Sequence, residues 1–298
     1  MKKILAIFIA ILFPYVSGAE ELIIFHAGSL SSLFSTLERD FEKENPGVDV
    51  LREASGSVMA IRKVKELGKP ADIIAVADID LIPRMLYPDF VTSYLGFATN
   101  RMVIAFKKNS KYAEEINAEN WYEILTRKDV RVGRSDPNDD PCGYRTLLVW
   151  KLSEKYYKKP DLFKKLISSA GDKFMRAKET DLISLQETGE IDYHFQYESV
   201  ARENKFEYII LPPEIDLSEH RFSEFYSSVS VEIRGKTPQE KMKIKGSPIL
   251  YGIAILKDAK NYELASRFLN FLISERGRKR IEEKGLKPIF PPIIFGVK

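Results

Sequence analysis

Apolar and polar residues along the chain follow two periods in turn, and each switch between them marks an element. Residues 22–25 form an apolar run of strand length, His26-Ala27-Gly28-Ser29 interrupts it, and Leu33, Phe34, Leu37 and Phe41 then recur at helical spacing. Asn45-Pro46-Gly47 breaks that helix. Val48-Asp49-Val50 resumes as a strand running out at Glu53-Ala54-Ser55-Gly56-Ser57, after which Val58, Ile61, Val64 and Leu67 share one helical face. Gly68-Lys69-Pro70 stops the second helix before 72–76, a buried strand followed by Asp78. Such alternation predicts an α/β chain with a parallel sheet and helices on its faces.

Downstream, 97–106 and 249–255 are apolar enough for strands. Between them lies a second α/β pattern: helices around Trp121–Leu125, 146–157 and 180–186, and strands near 130–133, Tyr193–Tyr197 and 208–211. One good helix, Tyr262–Ile273, and a proline-rich tail over 288–292 close the chain. The last helix has no complete sheet of its own. We therefore expect a discontinuous first lobe, 20–96 plus 247–298, enclosing a second lobe, 97–246. Two strands, at roughly 97–106 and 247–256, would cross between them as the hinge. The basic stretch 276–280 reads as a solvated helix end.

The first residues have another character. Lys2 and Lys3 precede an apolar run over 4–16, and Ser17-Gly18-Ala19 supplies small residues, the layout of a secretory signal over 1–19. No cysteine follows Ala19 to accept a lipid. An uncleaved anchor is the alternative, although the run falls short of the ~20 apolar residues that span a bilayer. The expected destination is the periplasm or the outer face of the cell membrane.

Composition narrows the function classes. With 44% hydrophobic and 30% charged residues, the chain is globular rather than disordered. Its 46 basic and 43 acidic residues interleave to a net +3, and no long basic tract invites nucleic acid. Cys142 is the single cysteine, so neither an intrachain disulfide nor a zinc site with several thiolates can form. His26, His194 and His220 stand at no recognisable spacing from it, and a nucleophilic thiol needs a base held nearby.

Two turns share one local context: Ala27-Gly28-Ser29 and Ser55-Gly56-Ser57 each follow a strand and open a helix. Unpaired N–H groups and the dipole at a helix N-terminus attract anions; glycine admits close approach and serine adds a hydroxyl donor. The plainer alternative makes Ser29 and Ser57 helix caps. A third loop, 135–145, enters a helix carrying carboxylates. Asp136 and Asp139 stand beside prolines as turn residues do, whereas Asp140 pairs in context with Glu179, which opens a helix of its own. The acidic alternation of a calcium loop is missing, and so is a nucleotide-type phosphate loop.

At these residues the chain resembles the tungstate/molybdate-binding proteins of archaeal-type ABC importers, within the extracellular solute-binding proteins. The markers are Phe25-His26-Ala27-Gly28-Ser29-Leu30, Gly56-Ser57 with Ile61-Arg62-Lys63-Val64, Asn120-Trp121-Tyr122-Glu123-Ile124-Leu125, the run 137–145, and Gly189-Glu190-Ile191-Asp192-Tyr193. The resemblance implies a type II periplasmic-binding fold with tungstate or molybdate in the interlobe cleft, no other cofactor, no catalysis, and delivery by a monomer to a permease and its ATPase. It also implies that Gly28, Ser29, Ser57, the backbone near Cys142 and the Tyr197 hydroxyl bind the oxyanion's oxygens. Asp140 and Glu179 would match the family's carboxylates, which reach the hexavalent metal and expand it from four to six oxygen ligands. Asp181 is the alternative second carboxylate, because 158–178 looks shorter than in the family. Arg145 is expected to brace the loop. An iron(III)-binding protein is the nearest alternative, and a secreted hydrolase using the carboxylate pair the rival from another class.

Overall fold

A computed structural model describes residues 19–235 and 240–296, so the expected secretory signal falls almost wholly outside the described residues. From Glu20 the chain runs β1 (Glu20–Ala27), α1 (Ser31–Glu44), β2 (Val48–Ser55), α2 (Ser57–Lys65), β3 (Ile73–Val76), α3 (Leu81–Met85) and β4 (Tyr94–Thr99). It continues through β5 (Met102–Phe106), α4 (Trp121–Leu125), β6 (Val132–Ser135), α5 (Pro141–Tyr156), α6 (Leu162–Ala170), β7 (Met175–Arg176), α7 (Leu182–Glu187), β8 (Tyr193–Tyr197), α8 (Glu198–Glu203) and β9 (Glu207–Ile210). After α9 (Ser223–Ser227) come β10 (Ser230–Arg234), β11 (Lys241–Lys245), β12 (Tyr251–Ile255), α10 (Tyr262–Ile273), α11 (Glu275–Glu283) and β13 (Lys287–Phe295).

Two sheets organise these elements. The larger has the order β13-β4-β12-β3-β1-β2 and the smaller β7-β6-β8-β5-β9. Within the first, β1 runs parallel to β2 and β3, whereas β12 is antiparallel to β3 and β4, and β13 to β4. Within the second, β6 is parallel to β7 and β8, and β5 antiparallel to β8 and β9. The expectation of a parallel sheet is therefore corrected to two mixed sheets. The strand-helix units supply the parallel pairs, and strands entering without a helical crossover supply the rest.

The face of α1 packs as its spacing predicts, whereas the second helical face is shorter than expected: α2 ends at Lys65, so Val58 and Ile61 are buried and Leu67 is exposed. Leu33, Phe34, Leu37 and Phe41 of α1 are buried, and Phe41 meets Phe268 of α10 edge-on at 5.2 Å between ring centres. Against the smaller sheet, Trp121 and Trp150 close on Phe195 at 5.7 and 5.5 Å.

The single strand expected over 97–106 is two strands. It breaks at Asn100, whose side chain accepts the Arg101 N–H at 2.9 Å and donates to Ser199 Oγ at 2.8 Å and the Tyr251 hydroxyl at 3.2 Å. β4 stays in the larger sheet and β5 joins the smaller one. The helix expected over 146–157 begins five residues earlier, at Pro141: extended Asp140 caps it, and proline at the first position lacks only an N–H that no helix would use. The proline-rich tail is a strand, β13, at the sheet edge, with a register break between Pro288 and Ile293 that absorbs Pro291 and Pro292. Nor is 276–280 only a solvated helix end. It belongs to α11, where Arg276 and Arg280 pair with Asp40 of α1 at 3.2 and 2.7 Å, and Gly277 and Ile281 are buried.

Candidate functional site

The turns singled out above all lie where strands end at their carboxyl side, the usual position of a binding crevice in α/β folds. β1 leads into a 3-10 turn, Gly28–Leu30, and β2 into Gly56 and the first turn of α2. β6 ends at Ser135 and leads to Asp140, and β8 ends at Tyr197. Glu179 opens a second 3-10 turn ahead of α7.

Ser29 and Ser57 are not caps. No side-chain cap hydrogen bond closes the turn at Gly28 or either of the helices α1 and α2. Each hydroxyl instead accepts from a fixed donor. Ser57 Oγ accepts the Ala77 N–H at 2.9 Å. Ser29 Oγ accepts from the Tyr251 hydroxyl at 3.2 Å, which in turn accepts from Asn100 Nδ2. Tyr197 follows the same rule, its hydroxyl accepting from Arg145 Nη1 at 2.8 Å. An O–H whose oxygen already accepts keeps its proton for another acceptor. Among the described residues, none of the three donates to protein.

The carboxylates face these turns. A methyl group on Gly28 would lie 3.1 Å from Glu179 Oε1, and one on Gly56 would overlap the Asp139 carbonyl oxygen and come within 3.1 Å of Asp140 Cβ. Asp140 and Glu179 are 2% and 1% exposed. Asp140 Oδ1 accepts the Cys142 N–H at 3.1 Å, as the cap of α5, and Oδ2 accepts the Glu179 N–H at 2.7 Å. Gln196 Nε2 donates to the Glu179 carbonyl at 3.2 Å. Glu179 Oε1 has no hydrogen-bond partner although it is buried. Burial pushes both carboxyls above their usual range, and the neighbouring Asp140 charge pushes Glu179 further.

The remaining groups support this cluster. Arg145 is fully buried; it donates to the Ala77 carbonyl at 2.6 Å as well as to Tyr197, and it pairs with Asp78 at 3.6 Å. It thus braces β3's exit against α5 and β8. Cys142 is buried, its thiol raised by burial and set 3.7 Å from the Phe195 carbonyl, so it is an inert side chain whose N–H already serves Asp140. His194 is held by Gln186 at 3.0 Å, and burial lowers it to about 3, leaving a neutral ring.

Gly28, Ser29, Ser57, Asp140, Cys142 and Glu179 therefore converge, and Tyr197 joins them through Arg145. Asp181 does not: its side chain is 39% exposed and pairs with Lys178 at 3.5 Å. Sequence reasoning missed Tyr251, Asp78 and Ser135. Ser135 is buried, its hydroxyl has no partner, and it stands at a strand end before a loop, the same signal that marked Ser29 and Ser57. Among the described residues no group of three His, Cys, Asp or Glu side chains gathers to hold a cation.

Comparison with known proteins gives concordant matches. The family described as bacterial extracellular solute-binding protein matches residues 22–287. The molybdate/tungstate-binding protein WtpA of Pyrococcus abyssi is 46% identical, covering 93% of this chain and 87% of that one. Its namesake in Thermococcus kodakarensis is 45% identical over 92% and 84%. Among solved structures, the periplasmic molybdate-binding protein of Azotobacter vinelandii superposes with a TM-score of 0.65 at 15% identity, covering 91% of this chain and 99% of that one. The last likeness is one of fold, that of a two-lobed periplasmic-binding architecture.

Proposed function

Since the chain belongs to the bacterial extracellular solute-binding protein family, whose members carry solutes rather than transform them, we propose that it binds tungstate or molybdate between its lobes and hands the anion to the permease and ATPase of an ABC importer. The observation that carries this reading is the set of hydroxyls at Ser29, Ser57 and Tyr197, each accepting from a protein donor and each left with a proton to give. Such a set of outward-facing protons suits an anion, whereas iron(III) is bound by deprotonated oxygens. Gly28 and the turn amides beside it would contribute backbone donors; near Cys142 the first-turn N–H groups are already engaged, Cys142's by Asp140 Oδ1 and Gly143's by the Asp140 carbonyl.

Asp140 and Glu179 give the reading its specificity. A dianion beside two carboxylates in a dry cleft meets strong repulsion, since the Coulomb energy scales inversely with an interior dielectric far below that of water. Direct coordination reverses the sign. A hexavalent tungsten or molybdenum centre is a hard acceptor for carboxylate oxygen and can widen its shell from four to six oxygens. Sulfur in sulfate has no such option, so the same carboxylates would exclude sulfate. The unpartnered Glu179 Oε1 supports a role as ligand.

The sheet memberships support a discontinuous division of the kind expected, with two adjustments: β4 keeps the residues up to Thr99 in the larger sheet, so the chain crosses at Asn100-Arg101 rather than at 97, and β12 stays within the larger sheet. No helix among the described residues is long and apolar enough to cross a membrane. Calorimetry with tungstate, molybdate and sulfate tests the ligand, and X-ray absorption of the tungstate complex counts oxygens. Six oxygens support the carboxylates as ligands. Four oxygens, or undiminished tungstate affinity when Asp140→Ala is combined with Glu179→Ala, would overturn that assignment.

A further inference from the structure

Outside the site, one link between the lobes runs through a single buried arginine. Arg62 stands on α2, which packs on β1, β2 and β3, five residues beyond Ser57, and is 5% exposed. Its guanidinium reaches across to two separate segments of the other lobe. Nη1 donates to the Asn138 carbonyl and to Asp139 Oδ1, both at 3.1 Å. Nη2 donates to the carbonyls of Arg234 and Gly235 at 3.3 and 3.4 Å.

These segments are joined to each other as well. The Arg234 N–H donates to Asn138 Oδ1 at 2.9 Å, and Arg234 Nη2 donates to Asp139 Oδ1 at 3.1 Å. The hairpin of β10 and β11 packs on α5, so it moves with the Asp140 side of the cleft. A second lobe-one arginine, Arg84 of α3, donates to the Lys243 carbonyl on the same hairpin at 3.0 Å. The planar, five-donor fork of Arg62 is the side chain suited to four acceptors on two segments; a lysine is a point charge with three donors.

We propose that Arg62 is the latch of the closed form, a positioning residue that sets how long the oxyanion stays. It ties the helix opening at Ser57 to the residue just before Asp140, so the two halves of the anion site cannot part until its bonds do. The Met59 N–H, donating to the Asp139 carbonyl at 3.3 Å, reinforces the same seam. Arg62 touches no anion oxygen in this scheme. It acts on release, the step through which affinity differences are mostly expressed.

This inference rests on tungstate or molybdate as the ligand, and the test separates the two. Protein loaded with radiolabelled tungstate is chased with unlabelled tungstate, and exchange is followed for wild type, Arg62→Ala, Arg62→Lys and Asp139→Ala. Hydrogen bonds to a charged group are strong enough that Arg62→Ala should release tungstate about 10- to 100-fold faster. Arg62→Lys should recover part of the difference, and Asp139→Ala, which removes the acceptor shared with Arg234, should also speed release. Six-oxygen coordination should persist in each variant. Exchange at the wild-type rate in Arg62→Ala and Asp139→Ala overturns the latch alone, whereas wild type that retains no tungstate overturns the ligand reading and the latch with it.

Discussion

Asp140 accepts the backbone N–H of Glu179 at 2.7 Å, so one buried carboxylate holds the other in place. The two substitutions that remove them should therefore differ. Asp140→Ala deletes the cap of α5 and strands the Glu179 N–H, with an expected loss of about 1–3 kcal/mol in ligand-free stability. Glu179→Gln deletes a buried charge and keeps the shape, so ligand-free protein should melt no lower at neutral pH, while tungstate affinity falls at least about tenfold. Thermal melts with calorimetry check both. Unchanged tungstate affinity in Glu179→Gln would remove that residue from the site.

Burial raises both carboxyls, and this fixes the sign of the pH dependence. Between the usual carboxylate range and the raised values, the folded pair retains protons that the unfolded chain has released. Ligand-free stability attributable to the pair must then fall as pH rises through that window. Coordination needs ionised oxygens, so tungstate binding should release protons there and weaken as pH drops. Titrations in buffers of different ionisation enthalpy count the protons; a count equal in wild type and the variant combining Asp140→Asn with Glu179→Gln contradicts the assignment.

Gly56 tests closure separately from chemistry. Its φ of −59° is open to any residue, and what a methyl group would strike is the Asp139 carbonyl oxygen across the seam. Gly56→Ala should leave the ligand-free melting point within a few degrees of wild type and keep the lobes apart. Small-angle scattering with saturating tungstate should show a larger radius of gyration than wild type; an unchanged radius would mean that the seam yields.

The hydroxyl donors make a graded series. Ser57→Ala removes the proposed bond to the anion and the acceptor of the Ala77 N–H, so it should weaken tungstate about 10- to 100-fold and lower stability as well. Tyr197→Phe should weaken binding with a smaller loss of stability, because Arg145 keeps the Ala77 carbonyl and Asp78. Equal affinity for both variants and wild type, by calorimetry, would remove these hydroxyls from the anion site.

Much of the fold was legible because local chemistry and tertiary packing agree. The strand before Gly28, the spacing of Leu33, Phe34, Leu37 and Phe41, and the helix Tyr262–Ile273 all needed nothing beyond periodicity. The turns at Ser29 and Ser57 were legible as strand-to-helix turns, but the donors behind their hydroxyls were not. Tyr251 and Asn100 lie far from Ser29 in sequence, and only folding brings them to it. The start of α5 was misplaced because Asp140-Pro141 reads as a turn from either residue alone, and as cap plus first helical position from both together. The β10 and β11 hairpin carried a readable signal, with Val231, Ile233 and Ile244 buried between charged neighbours. Arg62 stood only within a family marker, and nothing in its spacing set it apart as a link between lobes, since an arginine on an amphipathic helix ordinarily faces water.

The strand order of the larger sheet also governs when it can form. β12 lies between β3 and β4, although Tyr251 follows Thr99 by half the chain. The N-terminal lobe thus remains an incomplete sheet, with β3 lacking one neighbour, until nearly the whole polypeptide has been made. The smaller sheet draws on one contiguous stretch, β5 to β9, and can close earlier. The larger sheet's most sequence-distant pairings, β13 with β4 and β12 with β3, are the slowest kind to form and wait until synthesis is almost finished.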